Sequence, residues 1–220
     1  GDRAFGQLFT NTIVLSLLNL AFNFPMPILF ALLLNEVRSK RFKKFVQTVS
    51  YLPHFISWVV VAGITYVLFS SGGGIIYELV KQITGKTINF LSSAHSFRPM
   101  IIGQSMWKET GWGTIIYLAA LAGVEIEQYE AARIDGASRF QQLLYITLPS
   151  IKPIVVTMLI LRLGNIMDSS FDQIYNMLNE MNYAVGEVFD TYVYKVGITL
   201  GQFSYSTAVG LFKSAIGLVL

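Results

Sequence analysis

The sequence predicts an all-α membrane protein, and three observations carry that prediction. Only 13% of its 220 residues are charged and 53% are hydrophobic, whereas a typical soluble domain is about 25% charged. Apolar runs long enough to cross a bilayer recur along the chain, each bounded by polar or basic stretches. Finally, most of the 16 Lys and Arg residues sit beside those runs, where they orient membrane helices. The net charge of +3 is therefore no sign of nucleic acid. With no cysteine, disulfides, thiol catalysis and cysteine-ligated metals are excluded. His54 and His95 stand in no His/carboxylate cluster at metal-ligand spacing.

The first expected span covers residues 9–34, long enough at 1.5 Å per residue for a core of roughly 30 Å. Asn19, Asn23, Pro25 and Pro27 interrupt it, which predicts a kinked helix lining a cavity. Residues 35–48 read as a basic loop: Arg38, Lys40, Arg41, Lys43 and Lys44 stand against Glu36. The positive-inside rule puts that loop in the cytoplasm, with anionic headgroups as neighbours.

A second span is expected over 51–69, followed by the flexible break Gly72-Gly73-Gly74. Ile75, Leu79 and Ile83, with Ile76 and Val80, then follow the spacing of an amphipathic helix. With Glu78 and Lys81 it is too short and too charged to span, and an outer-interface position is expected. Gly85-Lys86-Thr87 resembles the end of a phosphate-binding loop, but the required first glycine is Val80, so no nucleotide site is expected.

The third span, 99–124, carries Gln104, Trp107, Lys108, Glu109 and Trp112. The fourth, 151–167, brings Arg162 and Asn165, with Asp168 just beyond. An acidic outer segment with Asp172 and Gln173 leads to a fifth span, 203–220, containing Lys213. The chain opens on Gly1 and stops inside an apolar run, so a single transmembrane domain truncated at both ends is expected. With these spans the inner loops hold eight Lys/Arg, counting Lys152 at the start of the fourth span, and the outer segments five, counting Arg3.

Residues 125–149 are the polar interlude between two apolar runs. Two short helices bent at Gly136 are expected there, since glycine adopts a positive φ cheaply. Gln128 to Arg133 supplies the first helix, and Ser138 with Gln141 forms a capping box that starts the second. Phe140, Leu143, Leu144 and Ile146 give that second helix an apolar side, and Leu148-Pro149 is expected to end it.

Glu130, Ala131, Ala132, Gly136, Ile146, Leu148 and Pro149, with Asp135 ahead of the glycine, resemble the EAA loop of permease subunits of binding-protein-dependent ABC importers. Trp107-Lys108, residues 118–121, 171–174, 190–194 and 207–213 are similar to permeases of the maltose-transporter superfamily, in particular the LplB-like polysaccharide and aldouronate branch. The resemblance implies a MetI-like transmembrane fold with five of about six core helices present, in a bacterial plasma membrane. It implies no enzyme activity and no cofactor on this chain; ATP and Mg would be used by a partner ATPase.

The implied partners are a second permease (a heterodimer), two ATPase subunits, an extracytoplasmic solute-binding lipoprotein, membrane lipids and an oligosaccharide, with no nucleic acid. In the loop, Glu130 and Asp135 would offer carboxylates to the ATPase. Ala131 and Ala132 would permit close approach, while Phe140 and Leu144 would seat in an apolar groove.

A charge at the centre of a membrane helix costs roughly 2.5–3.5 kcal/mol on insertion scales, so it faces protein or a wet cavity. Candidates for the solute path are therefore Asn19, Asn23, Gln104, Trp107, Lys108, Glu109, Trp112, Asn165, Asp168, Asp172 and Gln173. Pairing of Glu109 or Asp168 with Arg162 or Lys213 is the competing structural expectation. Lys108 and Glu109, about 100° apart on a helix, are not expected to pair. Those intramembrane charges also suit a second function, a carrier driven by an ion gradient, although such a carrier has no use for an EAA loop.

Overall fold

A computed structural model describes residues 3–219, and every described regular element is helical. The chain starts with α1 (Arg3–Asn23) and α2 (Pro25–Glu36). These meet at Phe24 and together form one apolar stretch, Phe5–Glu36, long enough to cross a membrane. Pro25 falls in the first turn of α2, where a missing N–H costs little. The expected break therefore appears at the prolines without ending the span.

The basic stretch is a helix rather than a loop. Ser39 caps α3 (Lys40–Tyr51) by accepting from the Phe42 N–H. A 3₁₀ turn (Leu52–Phe55) follows, and then α4 (Trp58–Phe69) leaves at 101° to the preceding helix. The apolar run 51–69 is thus not one straight helix. Only its 12 residues in α4 share an axis, about 18 Å at 1.5 Å per residue. The amphipathic helix anticipated at residue 75 is α5 (Ile75–Thr84), closed by Gly85 at φ +69°. The glycine that resembled a phosphate loop is a helix C-cap.

The long helix α6 (Ala94–Ala122) is the axis of the molecule, packing against α1, α2, α3 and α9. It begins five residues ahead of the expected span and carries Pro99 inside its first turns. Its 29 residues are long enough to span, but Gln104, Lys108 and Glu109 break its apolar character. Three apolar clusters involve the helices around it. Phe97 and Ile101 join Leu15, Ala62, Ile174 and Met177; Tyr117 and Leu121 join Ala31 and Ile151. A third unites Leu8, Met167, Phe189 and Val209.

After α6 come α7 (Ile126–Ile134), α8 (Arg139–Gln142), a π turn (Leu143–Thr147) and α9 (Leu148–Gly164). Leu148-Pro149 does not end the helix as expected; Arg139–Gly164 runs on as one stretch able to cross a membrane. The reason is the π turn. A proline ring normally meets the carbonyl four residues back, and here the widened turn lies directly ahead of Pro149, with the Leu148 N–H bonded to the Leu143 carbonyl. The segment beyond α9 folds as α10 (Phe171–Met177), α11 (Tyr183–Gly186), α12 (Phe189–Tyr194), a second π turn (Lys195–Thr199) and α13 (Phe203–Val219).

Candidate functional site

Two adjoining clefts run between α1, α2, α6 and α9. One of about 210 Å³ is lined by Ser16, Asn19, Arg162, Asn165, Asp168, Ser170 and Gln173, among others. The second, of about 340 Å³, is lined by Asn19, Asn23, Trp58, Ser105, Glu109, Trp112, Arg162 and Ser170, among others. Asn19, Arg162 and Ser170 belong to both. Asn23 donates its side-chain N–H to Asn19 Oδ1, one helical turn earlier, which keeps both amides on one face. The polar interruptions of the first span therefore do line a cavity.

The remaining path candidates divide. Gln104 and Gln173 are buried in a satisfied network: Gln104 Nε2 donates to Thr65 Oγ1 (2.7 Å), and Gln173 Nε2 donates to Gln104 Oε1 (3.0 Å) and the Ile101 carbonyl (2.7 Å). Ser105 Oγ donates to Gln173 Oε1 at 2.9 Å. With its polar atoms committed, this network ties α4, α6 and α10 together. Trp107 points away from both clefts into an apolar groove between α4 and α6. Asp172 is exposed in the first turn of α10 and lines neither cleft.

Lys108 is 5% exposed. Its ammonium donates to the carbonyls of His54 and Pro53 (3.5 Å for Pro53) and lies 5.3 Å from the Trp58 ring centroid. It caps the 3₁₀ turn at the break before α4. It also reaches Glu109 Oε1 at 3.8 Å; the flexible lysine stem bridges the angular gap that argued against this pair. Glu109 Oε2 lies 2.9 Å from His54 Nδ1, and the His54 ring stacks on Trp112 at 4.6 Å with planes 1° apart.

Lys213 binds Asp168 (2.8 Å) and Asp190 (2.6 Å). The first of these is one of the cross-helix pairs that the sequence offered. Arg162 makes no ion pair or hydrogen bond among the described residues and faces both clefts. Trp58, Ser16, Ser105 and Ser170 escaped the sequence reading: small hydroxyls in apolar runs carry no distinct signal, and Trp58 reads as a belt residue.

At the far end of α6, loop 125–149 is built as its sequence predicts in outline. Asp135 caps α7 and Gly136 follows at φ +80°. The Ala137 N–H donates to the Ala132 carbonyl (2.8 Å) and the Gly136 N–H to the Arg133 carbonyl (3.1 Å), the paired bonds of a Schellman motif. Both bonds of the Ser138–Gln141 capping box are made, at 3.3 and 2.7 Å.

Its inner side differs from expectation, for the buried groups are polar. Gln142 donates to the Ala137 carbonyl (2.9 Å), and Thr147 Oγ1 lies 2.9 Å from the Tyr129 hydroxyl. Ile146 and Leu148 are half-buried, and Pro149 is exposed. Phe140 is 70% and Ile134 86% exposed. Glu130, Ala131 and Asp135 are exposed beside them, while Ala132 is half-buried. Arg139 pairs with Glu36 at 3.3 Å and links the loop to the end of α2.

Comparison with known proteins decides the family, since residues 23–220 match the model of the binding-protein-dependent transport system inner membrane component. The chain belongs to that family. As such a permease, it is a membrane component of an ABC importer. It is 54% identical over 216 residues to Protein LplB of Bacillus subtilis (strain 168), covering 98% of this chain and 68% of that protein. It is also 54% identical over 219 residues to the polygalacturonan/rhamnogalacturonan transport system permease protein YteP of the same organism, covering 100% and 68%. A crystal structure of a bacterial ABC transporter involved in the import of the acidic polysaccharide alginate superposes with TM-score 0.96 at 40% identity, covering all of this chain and 77% of that one. Membership sets aside the ion-driven carrier and puts the permease in the plasma membrane with a MetI-like fold.

Proposed function

We propose that this permease forms one wall of the solute path of an importer for oligosaccharides or polysaccharide fragments, acidic ones in particular. The observation that carries the coupling part is the rigid loop 125–149. It is closed by a Schellman motif and a capping box, yet presents Glu130, Ile134, Asp135 and Phe140 with no partner among the described residues. Such a surface suits a separate ATPase subunit: two carboxylates meet basic groups, and an aromatic side chain fills a groove.

ATP and Mg are then handled by that ATPase, and the loop passes its motion through the continuous helix Arg139–Gly164 to the clefts. A second permease completes the path, and a solute-binding lipoprotein delivers the sugar. Residues 1–220 act as one transmembrane unit, with loop 125–149 in the cytoplasm.

The substrate class rests on the clefts and on the relatives. Asn19, Asn23 and Asn165 bear amides that hydrogen-bond sugar hydroxyls, and Trp112 and Trp58 bring aromatic surface. YteP is described with polygalacturonan and rhamnogalacturonan and the other transporter with the acidic polysaccharide alginate, and Arg162 supplies a cation with no ionic partner among the described residues where such a chain would pass.

The test is uptake by the full complex in proteoliposomes, with oligogalacturonate or a neutral oligosaccharide. ATP-dependent uptake that ignores an uncoupler, with ATPase co-purification weakened by Glu130→Ala, is the expected result. Intact co-purification in that variant would overturn the assigned role of Glu130.

A further inference from the structure

The helix α7 is short, and none of its nine residues is buried. The chain enters it just past Gly123, which caps α6, and leaves it through Gly136 at φ +80°. A β-carbon at Gly136 would meet nothing within 4 Å, so no packing braces that hinge. Ile126 and Ile134 are exposed, and no residue of α7 belongs to the apolar clusters around α6. Among the described residues, one side-chain hydrogen bond ties α7 to anything beyond its own cap, and no ion pair does. It joins the Tyr129 hydroxyl to Thr147 Oγ1 at 2.9 Å.

The direction of that bond follows from its neighbours. The Thr147 hydroxyl donates to the Gln142 carbonyl (3.3 Å), so its single proton is already placed and Tyr129 is the donor. The Gln142 side chain donates in turn to the Ala137 carbonyl (2.9 Å). The bonds thus cross from α7 to the π turn and return along α8 to the residue after Gly136. Thr147 is buried and ends the π turn, directly ahead of α9. The far end of α9 carries Arg162 to both clefts.

A helix passes on a push only as far as it is held. Tyr129 directly precedes Glu130 and stands about 8 Å before the end of α7, at 1.5 Å per residue. Without its bond, α7 can swing about Gly136, and a push on Glu130 moves the loop alone. With the bond, the push reaches Thr147 and hence α9. Phe140, on α8, reaches α9 through the backbone and needs no such link. We propose that the Tyr129–Thr147 bond is the strut joining α7 to α9, and that Tyr129 is a positioning residue setting how much sugar is carried per ATP hydrolysed. This role rests on the reading of loop 125–149 as the dock of an ATPase.

The test uses the assembled importer in proteoliposomes, measuring uptake and ATP hydrolysis together. In Tyr129→Phe the ATPase should still co-purify, while sugar carried per ATP falls about two- to tenfold, the loss of one hydrogen bond. Thr147→Ser keeps the hydroxyl and should keep the ratio. Thr147→Val should lower it, and adding Tyr129→Phe to Thr147→Val should lower it no further, because the bond is already gone. The chain holds no cysteine, so Glu127→Cys on α7 and Lys152→Cys on α9 give a spin-label pair on this subunit, the other subunits being made cysteine-free. The distance distribution should be narrow with Tyr129 and broad with Tyr129→Phe.

An unchanged ratio and an unchanged distribution in Tyr129→Phe would overturn the strut, as would losses that add in the double variant. Loss of the ATPase from Tyr129→Phe would make Tyr129 a docking contact instead. If no ATPase co-purified even with the parent protein, the docking reading would fall, while the label distances, which need no ATPase, would still decide whether Tyr129 holds α7 to α9.

Discussion

The backbone carbonyl of Ser50 rests against Gly111, so close that a β-carbon on the glycine would collide with the carbonyl group. This is where the end of α3 crosses the middle of α6, and only a residue without a side chain lets the two backbones approach. Gly111→Ala should force them apart and cost about 1–3 kcal/mol, the usual penalty of overpacking. Gly103, in the same helix, has open space around its β-position. Gly103→Ala should be neutral or slightly stabilising, since alanine favours a helix by up to about 1 kcal/mol over glycine. Thermal unfolding of the detergent-solubilised complex separates the two.

Lys108 lies next to that contact and holds the turn before α4 by its carbonyls. Lys108→Met leaves those carbonyls unpaired at a buried position, at a cost of about 1–3 kcal/mol. The expected signature is a lower melting temperature with little change in the KM for sugar in the protein that survives. A raised KM at unchanged stability would make Lys108 a substrate contact instead.

These two residues also mark how far the sequence could be read. Gly136, the Ser138–Gln141 box and α5 were legible because each is specified by residues within a few positions of one another. The bend between α3 and α4 was not. It depends on Lys108, more than 50 residues away, satisfying carbonyls that Pro53 and its neighbours leave free. The continuation through Pro149 was hidden for a related reason: a π turn leaves no residue signature, and a proline in sequence reads as a stop. The two cleft asparagines were found because polar residues inside an apolar run are conspicuous. By contrast, Asn11, bound to Arg98 Nη2 (2.9 Å) and to the carbonyls of Ala184 and Glu187 (3.1 Å each), joins distant segments that no local pattern connects.

At Gly136 the strain is in the backbone alone, because a β-carbon there meets nothing within 4 Å while φ is +80°. Substitutions should therefore rank by their tolerance of the left-handed region. Asn, which visits it readily, should retain uptake. Ala should lose part of it, and β-branched Val should uncouple ATP hydrolysis from transport while leaving membrane insertion intact. The left-handed conformation costs an ordinary residue roughly 1–2 kcal/mol, enough to rearrange an exposed loop. Parallel ATPase and uptake assays check the ranking, and equal transport by Val and Gly would refute it.

Glu187, just before α12, gives a pH dependence. Burial raises its pKa above the ordinary carboxylate value, only partly opposed by Lys195 at 3.7 Å. The folded state thus binds this proton more tightly than the unfolded state does. This residue's unfavourable contribution is fully present above its folded pKa and fades as pH falls towards 4.5, the unfolded value. Glu187→Gln should be the more stable at neutral pH, and the difference should shrink on acidification through that window. Melting temperatures of the pair across the range give the test; a gap that widens on acidification would reverse the sign.

Arg162 carries the prediction most specific to the cargo. Lys213 is committed to Asp168 and Asp190, and Lys108 to backbone carbonyls. Arg162 is left facing both clefts with no ionic partner among the described residues. A guanidinium offers a carboxylate two parallel hydrogen bonds, and such charged bonds are worth about 1.5–3 kcal/mol. Arg162→Gln should therefore raise the KM for an acidic oligosaccharide roughly ten- to a hundredfold and leave uptake of a neutral one nearly unchanged. The same loss for both sugars would instead assign Arg162 to packing against the second permease. Because the neutral substrate is carried by the same complex in the same vesicles, a folding defect cannot imitate the selective result.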